Sequence, residues 1–163
     1  MFAIIAVVLL TLVAASLAAC RSSEENPAPV PKATDTPPVP LSVALFFPQD
    51  AANDIIFVMV RRNVDPRPST AEAAIAALLE GPTAEEQASG LYSPIPEGTR
   101  LKSLSIAGGV ARVDFDERME QHQGGSVRVM AIRQMITRTL KQFPGVDDII
   151  ISVEGETEDI LQP

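Results

Sequence analysis

The sequence has few of the residues that usually carry catalysis: one cysteine, one histidine and no tryptophan. A lone cysteine cannot form an intramolecular disulfide, so burial of apolar side chains must stabilise the folded part. The histidine, His122, lies in a polar stretch, and a zinc site would need further His or Cys ligands. No Gly-x-Ser-x-Gly elbow and no Gly-rich loop followed by Lys is present. We therefore expect no catalytic residue, no metal and no cofactor.

Positive charge is also scarce. The chain has 13 Lys and Arg residues against 21 Asp and Glu residues, a net charge of −8, and every charged residue follows Cys20. An acidic domain repels the phosphate backbone of nucleic acids. We therefore expect no nucleic-acid partner.

The N-terminal segment lacks charge altogether from residue 3 to residue 19 and ends in the small residues Leu17-Ala18-Ala19. A membrane-spanning helix needs about 20 apolar residues, so this run is slightly short for a retained anchor. The pattern favours an export signal over residues 1–19, cleaved after Ala19. No Lys or Arg precedes the run, where a signal peptide normally carries positive charge, which favours a true start a few residues upstream.

The stretch Leu17-Ala18-Ala19-Cys20 resembles the bacterial lipobox. The resemblance implies that the Cys20 thiol receives a diacylglyceryl group and becomes the mature N-terminus, a reaction that requires a thiolate. An ordinary buried cysteine is the weaker interpretation, because the residues after Cys20 are polar and rich in proline. We expect a lipid anchor on Cys20 that holds the protein at the cell membrane, on its extracytoplasmic face.

Residues 20–40 form a proline-rich linker after the lipidated cysteine. The segment has almost no apolar side chains to bury, and its prolines stand at positions 27, 29, 31, 37, 38 and 40. An extended polyproline-like chain rises about 3.1 Å per residue, so the linker could hold a domain up to roughly 60 Å from the lipid.

Strand patterns follow the linker. Apolar residues alternate from Leu41 to Phe47, which predicts a half-buried strand. The run from Ile55 to Val60 is apolar at every position, which predicts a central strand covered on both faces. Segments 100–106 and 110–115 meet at Gly108-Gly109, which predicts a tight hairpin.

Two main helices are indicated by capping signals and by apolar residues at helical spacing. Ser69 and Glu72 predict a capping box at the start of the first helix, which Gly81-Pro82 ends. Thr83 and Glu86 predict a second capping box and a further turn or two of helix. Ser126 is the expected N-cap of a long second helix. Its apolar stripe consists of Val129, Ile132, Ile136, Leu140 and Phe143.

A last strand at 149–153 completes the order strand, strand, helix, strand, strand, helix, strand. This order favours a single two-layer α+β domain over residues 41–155, in which two main helices pack against one mixed β-sheet. Residues 156–163 are expected to be a frayed C-terminal tail.

Five motifs in this domain resemble the GerMN domain, a family named for sporulation and spore germination. They are Leu45-Phe46-Phe47-Pro48 and the stretches 77–83 (ALLEGPT), 95–101 (IPEGTRL), 109–115 (GVARVDF) and 139–146 (TLKQFPGV). The resemblance implies a lipid-anchored envelope scaffold whose fold is similar to the ring-building domains of secretion assemblies. It brings no catalytic residue. Similar domains are carried by lipoproteins of bacteria that do not sporulate, so it does not require a spore-forming source.

An alternative function is a carboxylate-dependent cell-wall hydrolase or a small-ligand-binding lipoprotein. Asp114, Asp116 and Glu117 could supply the carboxylates or bind Ca²⁺ through oxygen ligands. The plainer interpretation is that these residues face outward or begin a turn, where negative charge is favourable. Convergence of this group and the loop 91–97 on a deep polar cleft would favour the alternative.

The expected surface for an envelope protein partner is the long helix, which has no acidic residue from Ser126 to Phe143. Gln134, Arg138, Lys141 and Gln142 lie opposite its apolar stripe and should face water, whereas Arg128 and Arg133 border the core. A second interpretation is that Arg138 and Lys141 only complement the helix dipole. The sequence is also compatible with a homo-oligomer.

Overall fold

The computed structural model describes residues 39–52, 54–121, 125–158 and 160–161. The signal segment, Cys20, the linker as far as residue 38 and His122 lie outside these residues. Within the described part of the chain, no helix is both long enough and apolar enough to cross a membrane.

The described chain folds into five strands and three α-helices. The first half contains β1 (Leu41–Ala51), β2 (Asp54–Val64), α1 (Thr70–Leu79) and the short α2 (Ala84–Ala88). The second half contains β3 (Leu101–Ala107), β4 (Val110–Phe115), a short 3-10 helix (Glu117–Glu120), α3 (Ser126–Leu140) and β5 (Asp148–Val153).

The strands lie in two sheets. One is a long antiparallel hairpin of β1 and β2, in register from Leu41 opposite Val64 to Ala51 opposite Asp54. The other has the order β3-β4-β5, with β3 and β4 antiparallel and β4 and β5 parallel. The α+β class is confirmed, but the strands divide between two sheets instead of forming the one mixed sheet expected.

A side chain occupies part of the free edge of β1, which gives a physical reason for the division. The Gln142 side-chain Nε2 donates to the Ala44 carbonyl, and its Oε1 accepts from the Ala44 amide, both at 2.8 Å. These are the two bonds that a neighbouring strand would make to Ala44. The chain just after α3 therefore covers β1 where another strand could have joined.

The main core lies between the sheets and the helices α1 and α3. α3 packs along β1 and against α1, and α1 also contacts β2 and β3. Its fully buried members, each 0% exposed, include Leu45, Phe47, Ile75, Leu78, Val113, Phe115, Met135, Ile136 and Leu140. The predicted buried side of the long helix is thus confirmed at Ile136 and Leu140.

The C-terminal segment is not frayed at Ile160 and Leu161, which are both buried in the core. The Arg133 guanidinium donates to the Ile160 carbonyl at 3.2 Å, and the Leu161 amide donates to the Glu120 carboxylate at 3.3 Å. The expectation of a tail without structure was wrong here, because this apolar pair reaches the main core.

The second strand is not covered on both faces. Ile56 and Met59, which lie on opposite faces of the strand, are 45% and 49% exposed, and Phe57 is only partly buried. Both faces of β2 therefore carry solvent-accessible apolar residues, Met59 on the outer face with Arg61 and Ile56 on the face of Arg62. This correction to the expected central strand brings apolar residues to the surface.

The predicted caps are mostly in place. The Ser69 hydroxyl accepts from the Glu72 amide at 3.4 Å, and Thr83 and Glu86 form a reciprocal capping box before α2. Ser126, however, is the first residue of α3, and the N-cap position is Gly125, at a φ of 70°. A glycine is favoured there because a side chain is strained at positive φ.

Candidate interaction surface

The acidic group of β4 and the following turn has structural contacts. Asp114 Oδ1 accepts from the Ser152 hydroxyl at 2.7 Å and from the Gly155 amide at 2.8 Å. Asp116 Oδ1 accepts from the Arg100 amide at 3.0 Å. The Asp114 and Asp116 carboxylates thus join β4 and its end to β5, to the turn after β5 and to the residue before β3.

The loop 91–97 does not converge with this acidic group. It borders a cleft of about 480 Å³ whose lining includes Glu80, Gln87, Tyr92 and Glu97, but not Asp114, Asp116 or Glu117. Among the described residues, no three His, Cys, Asp or Glu side chains lie close enough to hold a metal ion. The arrangement that would have favoured a hydrolase is therefore not formed by these groups.

The outward side of α3 carries a continuous row of exposed residues. The row follows helical spacing and consists of Val127, Met130, Gln134, Arg138 and Lys141. Val127 is 59% exposed and Met130 48% exposed. The first half of the row is therefore apolar and the second half is polar and basic.

A second row runs beside it on the outer face of β2. Alternate residues of a strand share a face, so Ile55, Phe57, Met59 and Arg61 lie together. The Arg138 guanidinium carbon lies 4.7 Å from the centre of the Phe57 ring, which joins the two rows through a cation–π contact. We call the combined surface of nine residues, Val127, Met130, Gln134, Arg138, Lys141, Ile55, Phe57, Met59 and Arg61, the α3/β2 face.

The basic end of the α3/β2 face has no neutralising carboxylate in the described structure. Arg61, Arg138 and Lys141 form no salt bridge with a described residue, although Arg138 Nε donates to Gln134 Oε1 at 3.3 Å. Arg61 lies opposite Ala44, and the Gln142 side chain binds the Ala44 backbone next to Lys141. The register therefore brings the basic residues of both rows to the same end.

Other cations of the domain are engaged in contacts within the fold. Arg62, on the opposite face of β2, donates to both carboxylate oxygens of Glu86, at 2.7 and 2.5 Å. This hydrogen bonding lowers the pKa of Glu86 to about 2 and raises the pKa of Arg62. Arg128 and Arg133 donate to the carbonyls of Pro94 and Ile160.

The structure thus brings Gln134, Arg138 and Lys141 together on one exposed row, as the helical projection predicts. Gln142 is also exposed, as expected, but its side chain is held by hydrogen bonds to the β1 backbone. The β2 half of the face was missed, since an apolar run on both faces of a strand is typical of a central position. This half of the face is exposed because β2 pairs only with β1 among the described strands. Nothing in the sequence of β2 predicts that it has a single neighbour.

The sequence matches one family model, described as sporulation and spore germination, over residues 44–159. This range contains both rows of the α3/β2 face. No curated protein sequence matches the chain.

Solved structures share the fold. The tandem GerMN domains of the sporulation protein GerM from Bacillus subtilis match with a TM-score of 0.62 at 22% identity, over 72% of this chain and 40% of that chain. The first GerMN domain of the same protein matches with a TM-score of 0.58 at 22% identity, over 72% of this chain and 85% of that one. A candidate lipoprotein from Clostridium perfringens matches with a TM-score of 0.50 at 20% identity, over 72% and 76% of the two chains.

Proposed function

Because the chain belongs to the sporulation and spore germination family and has the GerMN fold, we propose that it is a lipid-anchored interaction module of the bacterial cell envelope. In this proposal Cys20 carries the lipid and the linker of residues 20–40 spaces the domain from the membrane. The domain binds a protein partner on the extracytoplasmic side and has no catalytic activity of its own. A role linked to sporulation or germination follows the family's description.

The α3/β2 face is the observation that carries the proposal. Single exposed apolar residues are normal, but contiguous apolar residues with a polar border mark interaction sites. Here Val127, Met130 and Met59 are about half exposed or more, and three cations without described carboxylate partners lie at one end of the same face. On an acidic domain such a surface has no evident role in folding.

The lipid anchor is supported by sequence and by likeness. The lipobox-like stretch ends at Cys20, and the residues behind it are unsuited to a folded core. One solved structure of the same fold is a candidate lipoprotein. Two acyl chains on one cysteine give stable attachment where a single chain is marginal.

The absence of catalysis is supported by the contacts of the acidic residues. Asp114 and Asp116 accept hydrogen bonds that connect elements of the fold, and neither lines the cleft beside the loop 91–97. The positions of Asp114, Asp116 and the loop 91–97 thus do not favour the hydrolase alternative.

The test is capture of partners from crosslinked envelope with the full-length lipoprotein. Reversing Arg138 and Lys141 to Glu should reduce partner recovery at least about tenfold, since removing and reversing two interface cations weakens binding strongly. The matched control reverses Arg100, just before β3, and Arg112, on β4, which are both exposed, and should recover partners normally. Equal recovery by both double variants would contradict the assignment of the surface.

The same preparation tests the anchor. Wild-type protein should incorporate a fatty-acid analogue and sediment with membranes, and Cys20→Ala should do neither. Incorporation that survives this substitution would show that the lipid is elsewhere.

A further inference from the structure

The α3/β2 face has a negative end as well as a basic one. Asp50, which is opposite Ile55 in the hairpin register, and Asp54, the first residue of β2, line a cleft of about 460 Å³ together with Ile55, Val127 and Met130, at the apolar end of the face. Asp50 accepts from the Tyr92 hydroxyl at 3.2 Å, and Asp54 accepts from the Ile55 amide at 2.8 Å. Neither carboxylate pairs with a cation among the described residues.

The distance from the negative end to the basic end is similar along β2 and along α3. The strand from Asp54 to Arg61 spans about 23 Å at about 3.3 Å per residue. The helix from Val127 to Lys141 spans about 21 Å at about 1.5 Å per residue. The face is therefore a surface about 20 Å long that runs from two carboxylates, across exposed apolar side chains, to three cations.

This distribution is self-complementary when a second copy is reversed. We infer that the α3/β2 face binds the same face of another copy of this chain, with the two α3 helices antiparallel. Asp50 and Asp54 of each copy then meet the basic end of the other. A two-fold interface contains each such contact twice, and Met59, Met130 and Val127 are buried between the copies. The inference rests on the proposed function, because it names a partner for the proposed surface.

A second copy fits the charges better than a partner of one sign. A uniformly acidic protein or an anionic membrane surface would be attracted by Arg61, Arg138 and Lys141 but repelled by Asp50 and Asp54. A reversed copy satisfies both ends. Tethering to one membrane also raises the effective concentration of the copies, so a weak interface is sufficient for pairing.

Crosslinking in membranes of cells that express the full-length lipoprotein tests this pairing. A cysteine introduced at Gln134, near the centre of the face, should form an intermolecular disulfide with its own copy. The yield of this disulfide should be at least about tenfold higher than the yield from Arg112→Cys, which lies on the other sheet. The unaltered chain measures any crosslinking through Cys20. Co-expressed Val127→Cys and Lys141→Cys chains should crosslink to each other, whereas Val127→Cys alone should not.

Charge exchange provides a second, independent measurement in the Gln134→Cys background. Arg138→Glu with Lys141→Glu should lower the crosslink yield about tenfold, and so should Asp50→Lys with Asp54→Lys. Co-expression of the two double variants should restore it, since each altered end then meets an opposite charge. Restoration also shows that both variants are folded.

The outcomes separate this inference from the proposed function. Self-pairing is overturned if Gln134→Cys crosslinks no more than the unaltered chain. If Arg138 and Lys141 are still needed to capture another envelope protein, the proposed interaction module is supported without self-pairing. Strong crosslinking of Val127→Cys with itself overturns the antiparallel arrangement.

Discussion

Two consecutive arginines of β2 have different surroundings. Arg62 faces α2 and makes a two-fold hydrogen-bonded ion pair with Glu86. Arg61 points to the other face of the hairpin and pairs with no described carboxylate. The difference shows that some cations of this acidic domain connect elements of the fold, whereas others, including those of the α3/β2 face, have no carboxylate partner among the described residues.

The same contrast holds across α3. One side carries Ile136 and Leu140, which are fully buried, and the other carries Met130 and Arg138, which are exposed. Substitutions on the first side should affect stability, and substitutions on the second should affect binding. The predictions that follow test this separation with matched residues from each side.

The largest effect is expected from a carboxylate placed in the core. Ile136→Asp should unfold the domain, because an unpaired buried charge costs several kcal/mol against a typical total stability of about 5–15 kcal/mol. Gln134→Asp, on the exposed side of the same helix and four residues before Arg138, should change the free energy of unfolding by no more than about 0.5 kcal/mol. Thermal denaturation followed by circular dichroism makes the comparison. Similar melts for the two variants would mean that the sides of α3 are assigned wrongly.

A smaller effect is expected at the edge of β1. Gln142→Ala removes two hydrogen bonds to the Ala44 backbone, which should cost on the order of 2 kcal/mol at about 1 kcal/mol each. Gln134→Ala removes only an exposed contact with Arg138 and should cost less than about 0.5 kcal/mol. Urea denaturation gives both values, and faster amide exchange at Ala44 should accompany only the first. Unchanged exchange at Ala44 would show that Gln142 does not protect this edge.

The smallest of these stability effects should come from the ion pair of Arg62. The pKa of Glu86 is about 2 in the folded chain against an ordinary value of 4.5. A depressed carboxylate pKa gives stability that is complete above about pH 4.5 and is lost as the pH falls towards 2. Since the pair is partly exposed to solvent, Glu86→Gln should cost only about 1 kcal/mol at neutral pH.

Denaturant titrations at pH 7 and near pH 2.5 check this prediction. The difference between wild type and Glu86→Gln should shrink at the lower pH, while Glu85→Gln, at an exposed neighbouring position, should differ little from wild type at both. A difference that does not depend on pH would mean that the charge of Glu86 is not what stabilises the fold, since the glutamine can still accept from the Thr83 amide.

Local features of the fold could be predicted from the sequence. The caps at Ser69 and Thr83, the hairpin at Gly108-Gly109 and the two sides of α3 depend on residues a few positions apart. The row of Gln134, Arg138 and Lys141 belongs to this class, because helical spacing alone places it opposite the buried stripe.

Features that depend on distant contacts could not be predicted. The division into two sheets involves a contact between Gln142 and Ala44, which are 98 positions apart. The exposed face of β2 follows from that division, and the apolar run of the strand gave no sign of it. The burial of Ile160 and Leu161 depends on partners in the 3-10 helix and α3, and two apolar residues are too few to show a periodicity.

The glutamine contact at the edge of β1 also has a consequence for the timing of folding. Ribosomes add about 5–20 residues per second, so Gln142 follows Ala44 by roughly 5–20 s during synthesis. The hairpin of β1 and β2 could close within microseconds, but its partner for Ala44 does not yet exist. During that interval the edge is open to pairing with other nascent chains. A chaperone that holds β1 and β2 extended until α3 has been made would therefore prevent this open edge from forming too early.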